Sequence, residues 1–448
     1  MRNALKAAGA IVAVIALCAP LMFLPAEDTQ PTTIGYATVT VTVPDTVVVA
    51  TTIPGLETTT TTTEPPVTTP PVTTPPPSTT TTTSPVDITI AAVGGLYTTP
   101  EILSTVRDAE TGSYDFGAVF APVARYLSKP DYTVAALEPR LGGPVVGYDS
   151  ETVPNAPREL AFAMKQVGID MVGTANPHSL DLGWDGVVGT LDRLDAAGLA
   201  HVGTYRTSEE RNTPTIVDVD GVKVAFLDYT AAVGASLPVS EQKPFAVNLL
   251  DLATVTQDAN TARAWGADIV LALVDYGAEY QRRPTADQTG LANDILGHGV
   301  DVILGTRAGV VQTIGTYFPF SRTVNCYTAY SLGDFLAGPR AAASEDAAPQ
   351  AGIAVYLRFQ KRGLRTYLMG IDYLPLYVQV AYASGAEAAG KPVGFRVLPV
   401  LPGVEPDTDI PLTADDKARM STIWNYVREQ LYRPDEDITP LLLGQLGL

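Results

Sequence analysis

The chain has 448 residues, with 48 acidic against 29 basic side chains and a formal net charge of −19. That balance argues against a nucleic-acid partner, which needs clustered Lys and Arg to displace counterions, and against unassisted adsorption to an anionic lipid face. The two cysteines, Cys18 and Cys326, provide neither a disulfide framework nor a thiolate zinc site.

In chain order, Arg2 and Lys6 precede an apolar run from Ala7 to Leu24, broken by Pro20. Residues 1–26 are therefore expected to be either an export signal cut after Ala26 or an uncleaved anchor with its basic end inside. The "IALC" ending at Cys18 resembles a lipoprotein box, but Leu17 is bulkier than such sites usually accept. Residues 27–86 form a Thr/Pro-rich linker that contains "TTTTTTEPPVTTPPVTTPPPSTTTTTSP". Proline fixes φ and removes donors, and no amphipathic period is present, so a disordered, extended stalk is expected as a spacer through a cell envelope. Within it "ATVTVTVPDTVVVATT" alternates apolar residues as an isolated β-ribbon does.

From Asp87 the composition becomes globular. "DITIAAV", "YTVAALE", "IDMVGTA" and "AHVGT" read as short apolar strands. They are interleaved with the helical stretches "PRELAFAMKQVG" and "GWDGVVGTLDRLDAAG", the latter closed by Gly198. "TPTIVDVDGVKVAFLDYT" is two strands about an Asp-Gly turn. Helix and strand then alternate through "LATVTQDANTARAWG", "ADIVLALVDY", "ADQTGLANDILGHG" and "VDVILGT", before the strand-like "NCYTAYSLGDFL", "GIAVYLRFQ" and "LRTYLMGIDYLPL". This is an α/β layered domain, placed at 87–375, whose ligand loops should follow the strands. Residues 376–448 are read as a C-terminal extension. Its helix is capped by Thr413 with Asp416 at the third position, and docks on the core through Met420, Ile423, Trp424 and Val427.

The loops after the strands bring Glu138, then Asn176, His178 and Asp181, then Asp275 and Glu279, then Arg307, then Asp334. Neither GxGxxG, nor a P-loop, nor GxSxG occurs. His178, Ser179 and Asp181 crowd into one loop, which disfavours a triad; His178 is read as held by Asp181 or a backbone carbonyl. Glu138 and Asp275 suit general acid–base work, or simple pairing with Arg307. Tyr276 and Tyr280 line a cleft or sit as edge aromatics. Asp334 is expected to fix a turn. His201 and His298 read as structural or surface residues.

The order of phrases resembles the CapA, or poly-γ-glutamate capsule-synthesis, family of the calcineurin-like metallophosphoesterase superfamily. The resemblance is carried over residues 87–345 by "ITIAAVGG", "DYTVAALEP", "FAMKQVGIDMVGTANPHSLDLGWDGVVGTLDRLDAAGLAHVGT", "VDVDGVKVAFLDYT", "ADIVLALVDYGAEYQRRPTADQ", "GVDVILGTRAGVVQ" and "AYSLGDF". It implies a four-layer α/β/β/α sandwich, an envelope or extracellular location, and a part in handling a capsular polymer. It also implies divalent metals such as Mn, Fe or Zn.

The departures from the family pattern bear on that last implication. Gly95 stands where the resemblance implies an Asp, Pro177 where it implies an Asn, and Asp275 where it implies a His. Arg307 and Gly309 replace two further His. Glu138, His178 and Asp275 remain, with Glu138 and Asp275 at family-equivalent metal positions. Two cations about 3.5–4 Å apart need several O and N ligands each, which glycine and proline do not offer, and a guanidinium is always charged. No cofactor is therefore expected, and the domain reads as a pseudoenzyme acting on envelope polymer or capsule machinery. The other readings are an active phosphoester or polymer hydrolase with a reduced site of Glu138, His178, Asp275 and Arg307, and a non-catalytic surface interaction module. The N-terminal segment contacts the membrane if uncleaved.

Overall fold

A strand that is apolar on both faces must find a packing layer for each, and that requirement builds this fold. The computed structural model describes residues 37–39, 51–53 and 84–446, except 149–152, 235–236, 319–324, 338–350 and 384–389. The chain falls into two units, Met1–Thr79 and Thr80–Leu448. In the first, β1 (Ala37–Val39) pairs antiparallel with β2 (Thr51–Ile53). The expected signal or anchor at 1–26, and nearly all of the expected stalk at 27–86, lie outside the described residues. Among those described, no helix is long and apolar enough to cross a membrane.

The second unit holds two sheets among the described residues. The larger begins with four parallel strands, β3 (Val86–Leu96), β4 (Tyr132–Leu137), β5 (Met171–Gly173) and β6 (Ala200–Val202). The other sheet contains β7 (Thr215–Val219), β8 (Val222–Thr230), β9 (Ile269–Asp275), β10 (Val302–Gly305), β11 (Ile314–Tyr317) and β12 (Cys326–Ala329). Its order is β11-β12-β10-β9-β8-β7, parallel from β8 to β12 and antiparallel at both edges. β13 (Asp334–Leu336) returns to the first sheet beside β3. There β14 (Ala351–Arg362), β15 (Arg365–Tyr382) and β16 (Pro392–Pro399) extend it antiparallel, and β17 (Ile438–Pro440) pairs with β15.

Side-chain alternation assigns the layers. From β3, Ile88, Ile90 and Ala92 enter one core with Val224 and Phe226 of β8, Leu271 and Leu273 of β9, and Val302 and Leu304 of β10. That core lies between the sheets. Ala91 and Val93 face the other way, onto Leu160 and Met164 of helix Glu159–Val167 and Val187, Leu191 and Leu194 of helix Gly183–Ala197. On the far side of the second sheet, Ala225, Val270 and Ala272 pack on helices Leu252–Ala264 and Ala286–Gly297. The order of layers is helix, sheet, sheet, helix.

The β7–β8 connection is the expected Asp-Gly turn, with φ of +49° at Asp220 and +83° at Gly221, the left-handed pair that matches strand twist. Helix Ala414–Leu431 carries the capping box of Thr413 and Asp416. It buries Met420, Ile423 and Val427 in the inter-sheet core, with Trp424 half-buried at its margin. The boundary expected at 375/376 needs correction. It falls inside β15, which continues to Tyr382 and is followed by β16 in the same sheet. Pairing with β14 and β16 carries the sheet past a point where local composition suggests an end.

Candidate functional site

Parallel strands pointing the same way bring their C-terminal ends to one edge, where a ligand crevice forms. Here those ends surround a cavity of about 390 Å³. Glu138 follows β4, His178 lies in the loop after β5, Asp275 ends β9, Thr306 and Arg307 follow β10, and Asp334 opens β13. Tyr97, Thr99, Glu279, Tyr280 and Gly309 complete much of the wall. All four residues singled out from the sequence, Glu138, His178, Asp275 and Arg307, therefore line one cavity.

Their pairing differs in part from expectation. Arg307 Nη1 lies 3.4 Å from Asp275 Oδ1, and Arg307 Nη2 lies 3.7 Å from Glu279 Oε1. Asp275 is buried and also accepts from the Thr230 hydroxyl at 3.1 Å. Glu138 is not part of that ion pair; it feels Arg307 as a nearby charge. Burial holds the Glu138 carboxyl well above the usual carboxylate range, with Asp275 and Asp334 adding to the rise against Arg140 and Arg307. Burial also raises Asp275, and Arg307 is the main opposing influence.

His178 is held as its loop suggested. Its Nδ1 lies 2.6 Å from Asp181 Oδ2, and its backbone N–H donates to Asn176 Oδ1 at 2.9 Å. The Asn176 amide turns away from the cavity and donates to the Leu137 carbonyl at 2.8 Å, tying the loop after β5 to the end of β4. Ser179 Oγ lies 2.8 Å from the carbonyl oxygens of both Thr174 and Asn176 and accepts from the Asn176 N–H at 2.8 Å, so it closes the turn and forms no triad. His201 sits on β6 beside Asp195, and His298 Nδ1 meets the Asp294 carbonyl; neither lines the cavity.

Three features were not legible in advance. Asp334 was expected to fix a turn, yet its carboxylate faces the cavity between Gly95 and Gly309. Its position after an apolar strand was the available signal. Tyr280 reaches the cavity wall, but Tyr276 is buried in the core under helix Ala286–Gly297. Behind Glu138 lies Arg140, fully buried, whose Nη atoms donate to the carbonyls of Leu137 at 3.1 Å, Glu138 at 3.2 Å and Thr174 at 3.4 Å. Burial pulls its guanidinium down to about 10 against the support of Glu138, Asp181 and Asp228. Asp228, also buried, accepts from the Ala175 N–H at 2.8 Å.

The family of bacterial capsule synthesis proteins, PGA_cap, matches residues 89–339, more than half of the chain. The chain belongs to this family. The cavity residues, from Tyr97 to Ala337, all fall inside the matched region. The capsule biosynthesis protein CapA of Bacillus anthracis is 27% identical over 233 residues, 50% of this chain and 54% of that protein. The PGA biosynthesis protein CapA of Bacillus subtilis (strain 168) is 28% identical over 189 residues, 42% of this chain and 48% of that protein. The chain thus spans about half the length of these curated relatives. A solved structure, the calcineurin-like phosphoesterase YfkN from Bacillus subtilis, is 14% identical with a TM-score of 0.37, covering 77% of this chain and 99% of that one. The fold is α/β, two sheets packed face to face between layers of helices.

Proposed function

We propose that this PGA_cap family member is an exported envelope protein that binds or scaffolds capsule-type polymer machinery, and that its strand-end cavity does not hold a dinuclear metal centre. The observation that carries this reading is Arg307, whose guanidinium lies 3.4 Å from Asp275 at a position where the family resemblance implies a metal-ligating His. A fixed positive charge beside Asp275 competes with a divalent cation for the same carboxylate. The donor set points the same way. Positions 95 and 309 are glycines, and Cβ atoms placed there would lie 3.4 Å from Asp334 Oδ1 and 3.6 Å from Asp334 Oδ2, so both sites open toward the cavity without a ligand atom of their own. No group of three or more His, Cys, Asp or Glu among the described residues is arranged to hold a metal ion. The side chains present do not fit two cations.

Export rests on the basic and apolar segment at 1–26, and presentation away from the membrane on the Thr/Pro linker. A second reading, hydrolysis by the reduced set of Glu138, His178, Asp275 and Arg307, is favoured by the His178–Asp181 pair at 2.6 Å, which fixes the ring at the cavity wall as a general base requires. Metal analysis of the purified chain and a phosphodiester assay with and without Mn²⁺ decide between them. Less than one divalent ion per chain and no Mn²⁺-dependent turnover are expected. Two ions per chain overturn the metal-free reading. Turnover abolished by Arg307→Ala establishes the second reading.

A further inference from the structure

The end of the second unit opposite the cavity carries a hairpin tip that packing does not explain. β14 and β15 are joined by the two-residue turn Gly363–Leu364, with Gly363 at φ +60°, the left-handed conformation such a turn needs at its first position. Leu364 at the tip is 99% exposed. Arg362 and Arg365 flank it, both exposed, and among the described residues neither is paired with a carboxylate. Arg362 is held instead by the Gln360 side chain, with its Cζ 5.8 Å from the centroid of the Tyr367 ring. The nearby acids are committed elsewhere. Asp268 accepts from Lys361 Nζ at 2.7 Å, and Asp87 from Gln360 Nε2 at 2.6 Å. Phe318, 66% exposed, stands at the same end, where it lines one cavity with Tyr367 and Leu368.

The tip is a local patch of free cations, with an apolar side chain between them, on a chain whose net charge is −19. Leu364 and Phe318 fall far short of a protein interface, which buries about 800 Å² on each side. A bilayer surface asks for less. One apolar side chain enters the headgroup boundary, and arginines beside it keep their charge among anionic headgroups. Position agrees. β3 starts at Val86, opposite Lys361, and runs to Leu96, next to Tyr97 of the cavity wall. By strand rise the tip lies about 33 Å from that wall. The polypeptide also enters the second unit at the tip's end.

We propose that the hairpin tip Arg362–Arg365 docks on an anionic lipid surface, with Leu364 in the headgroup boundary, so that the cavity opens away from the membrane. The net charge opposes adsorption of the chain as a whole, so the contact is local and orients the domain. This rests on the reading above only in placing the chain in the envelope.

The test uses the full chain reconstituted with vesicles. In a Cys18→Ser background, where Cys326 is buried and unreactive, Leu364→Cys carries the environment-sensitive fluorophore NBD. Leu442→Cys, exposed just past β17, carries it as the control. Vesicles are phosphatidylcholine alone or phosphatidylcholine with phosphatidylglycerol, and co-sedimentation is measured in parallel. With phosphatidylglycerol, emission from position 364 should shift to the blue and lose its quenching by iodide, and emission from 442 should do neither. The shift should shrink as salt rises. Each arginine contributes about fivefold to affinity for an anionic surface, so Arg362→Glu with Arg365→Glu should remove the shift. Both positions are exposed, so the melting temperature of that variant should stay near wild type. A chain that sediments with the vesicles while position 364 stays aqueous overturns the inference. So does failure to sediment, an equal shift on phosphatidylcholine, or a shift that survives the double reversal. A blue shift without vesicles makes the tip a protein contact and also overturns it. Two divalent ions per chain overturn the proposed function and leave this result untouched, so the two failures are distinct.

Discussion

The buried network behind the strand-end cavity, which serves as its floor, and the lining around Arg307, which serves as its mouth, both contain charge, but they satisfy it by different means. On the floor, Arg140 is fully buried and its Nη atoms donate to three backbone carbonyls, while Asp228 is answered by the Ala175 amide. Asn176 ties the ends of β4 and β5 together, and the Thr174 and Thr204 hydroxyls meet at 2.8 Å. At the mouth, Arg307 has 30% of its side chain exposed and reaches two carboxylates, of which Glu279 is 59% exposed. Backbone partners are fixed by the fold, whereas side-chain partners can exchange for a ligand or for water. The floor is therefore architecture, and the mouth is where a ligand can compete.

Mutations should separate the two. Arg140→Met is expected to have the largest effect, about 3–5 kcal/mol of lost stability by urea unfolding, because the buried carbonyls of Leu137, Glu138 and Thr174 would each lose a donor. A loss below about 1 kcal/mol would show that the floor is not structural.

Asp228 gives a pH-dependent effect. Burial pushes its carboxyl well above the ordinary range, although the Ala175 and Thr174 amides and Arg140 oppose the rise. The folded state keeps that proton to higher pH than the unfolded chain does. Its contribution to stability therefore falls as pH rises from about 4 through the folded value. Asp228→Asn removes this fall, so its stability relative to wild type should increase between about pH 4 and pH 8, read from melting curves across that range. A flat difference would refute the assignment.

Arg307→Ala at the mouth should cost only about 1 kcal/mol, since the pair is partly solvated and Asp275 keeps the Thr230 hydroxyl. A cost as large as that of Arg140→Met would erase the distinction. Gly95→Ala should change stability least, within about 0.5 kcal/mol, since its methyl meets only ordinary van der Waals contacts.

Much of the scaffold was legible because local physics repeats along it. Ile88, Ile90 and Ala92 alternate with Ala91 and Val93, Asp220 and Gly221 make the tight turn, and Thr413 with Asp416 caps the last long helix. These patterns depend on neighbours a few residues away. The ordered phrases from "ITIAAVGG" to "AYSLGDF" were legible for the same reason, and the matched region 89–339 contains most of them.

What the sequence by itself determined is the layered α/β class, the family resemblance, and the residue types at the strand ends, including glycine at 95 and 309 and arginine at 307. Only the tertiary structure decided that Arg307 turns to Asp275 and Glu279, that Asp334 faces the cavity while Tyr276 leaves it, and that β15 runs through residue 375. The physical reason is range. Periodicity and capping are settled within a turn or a pleat, but the partner of a charge at a strand end lies on another strand, tens of residues away, and is set by how the two sheets meet.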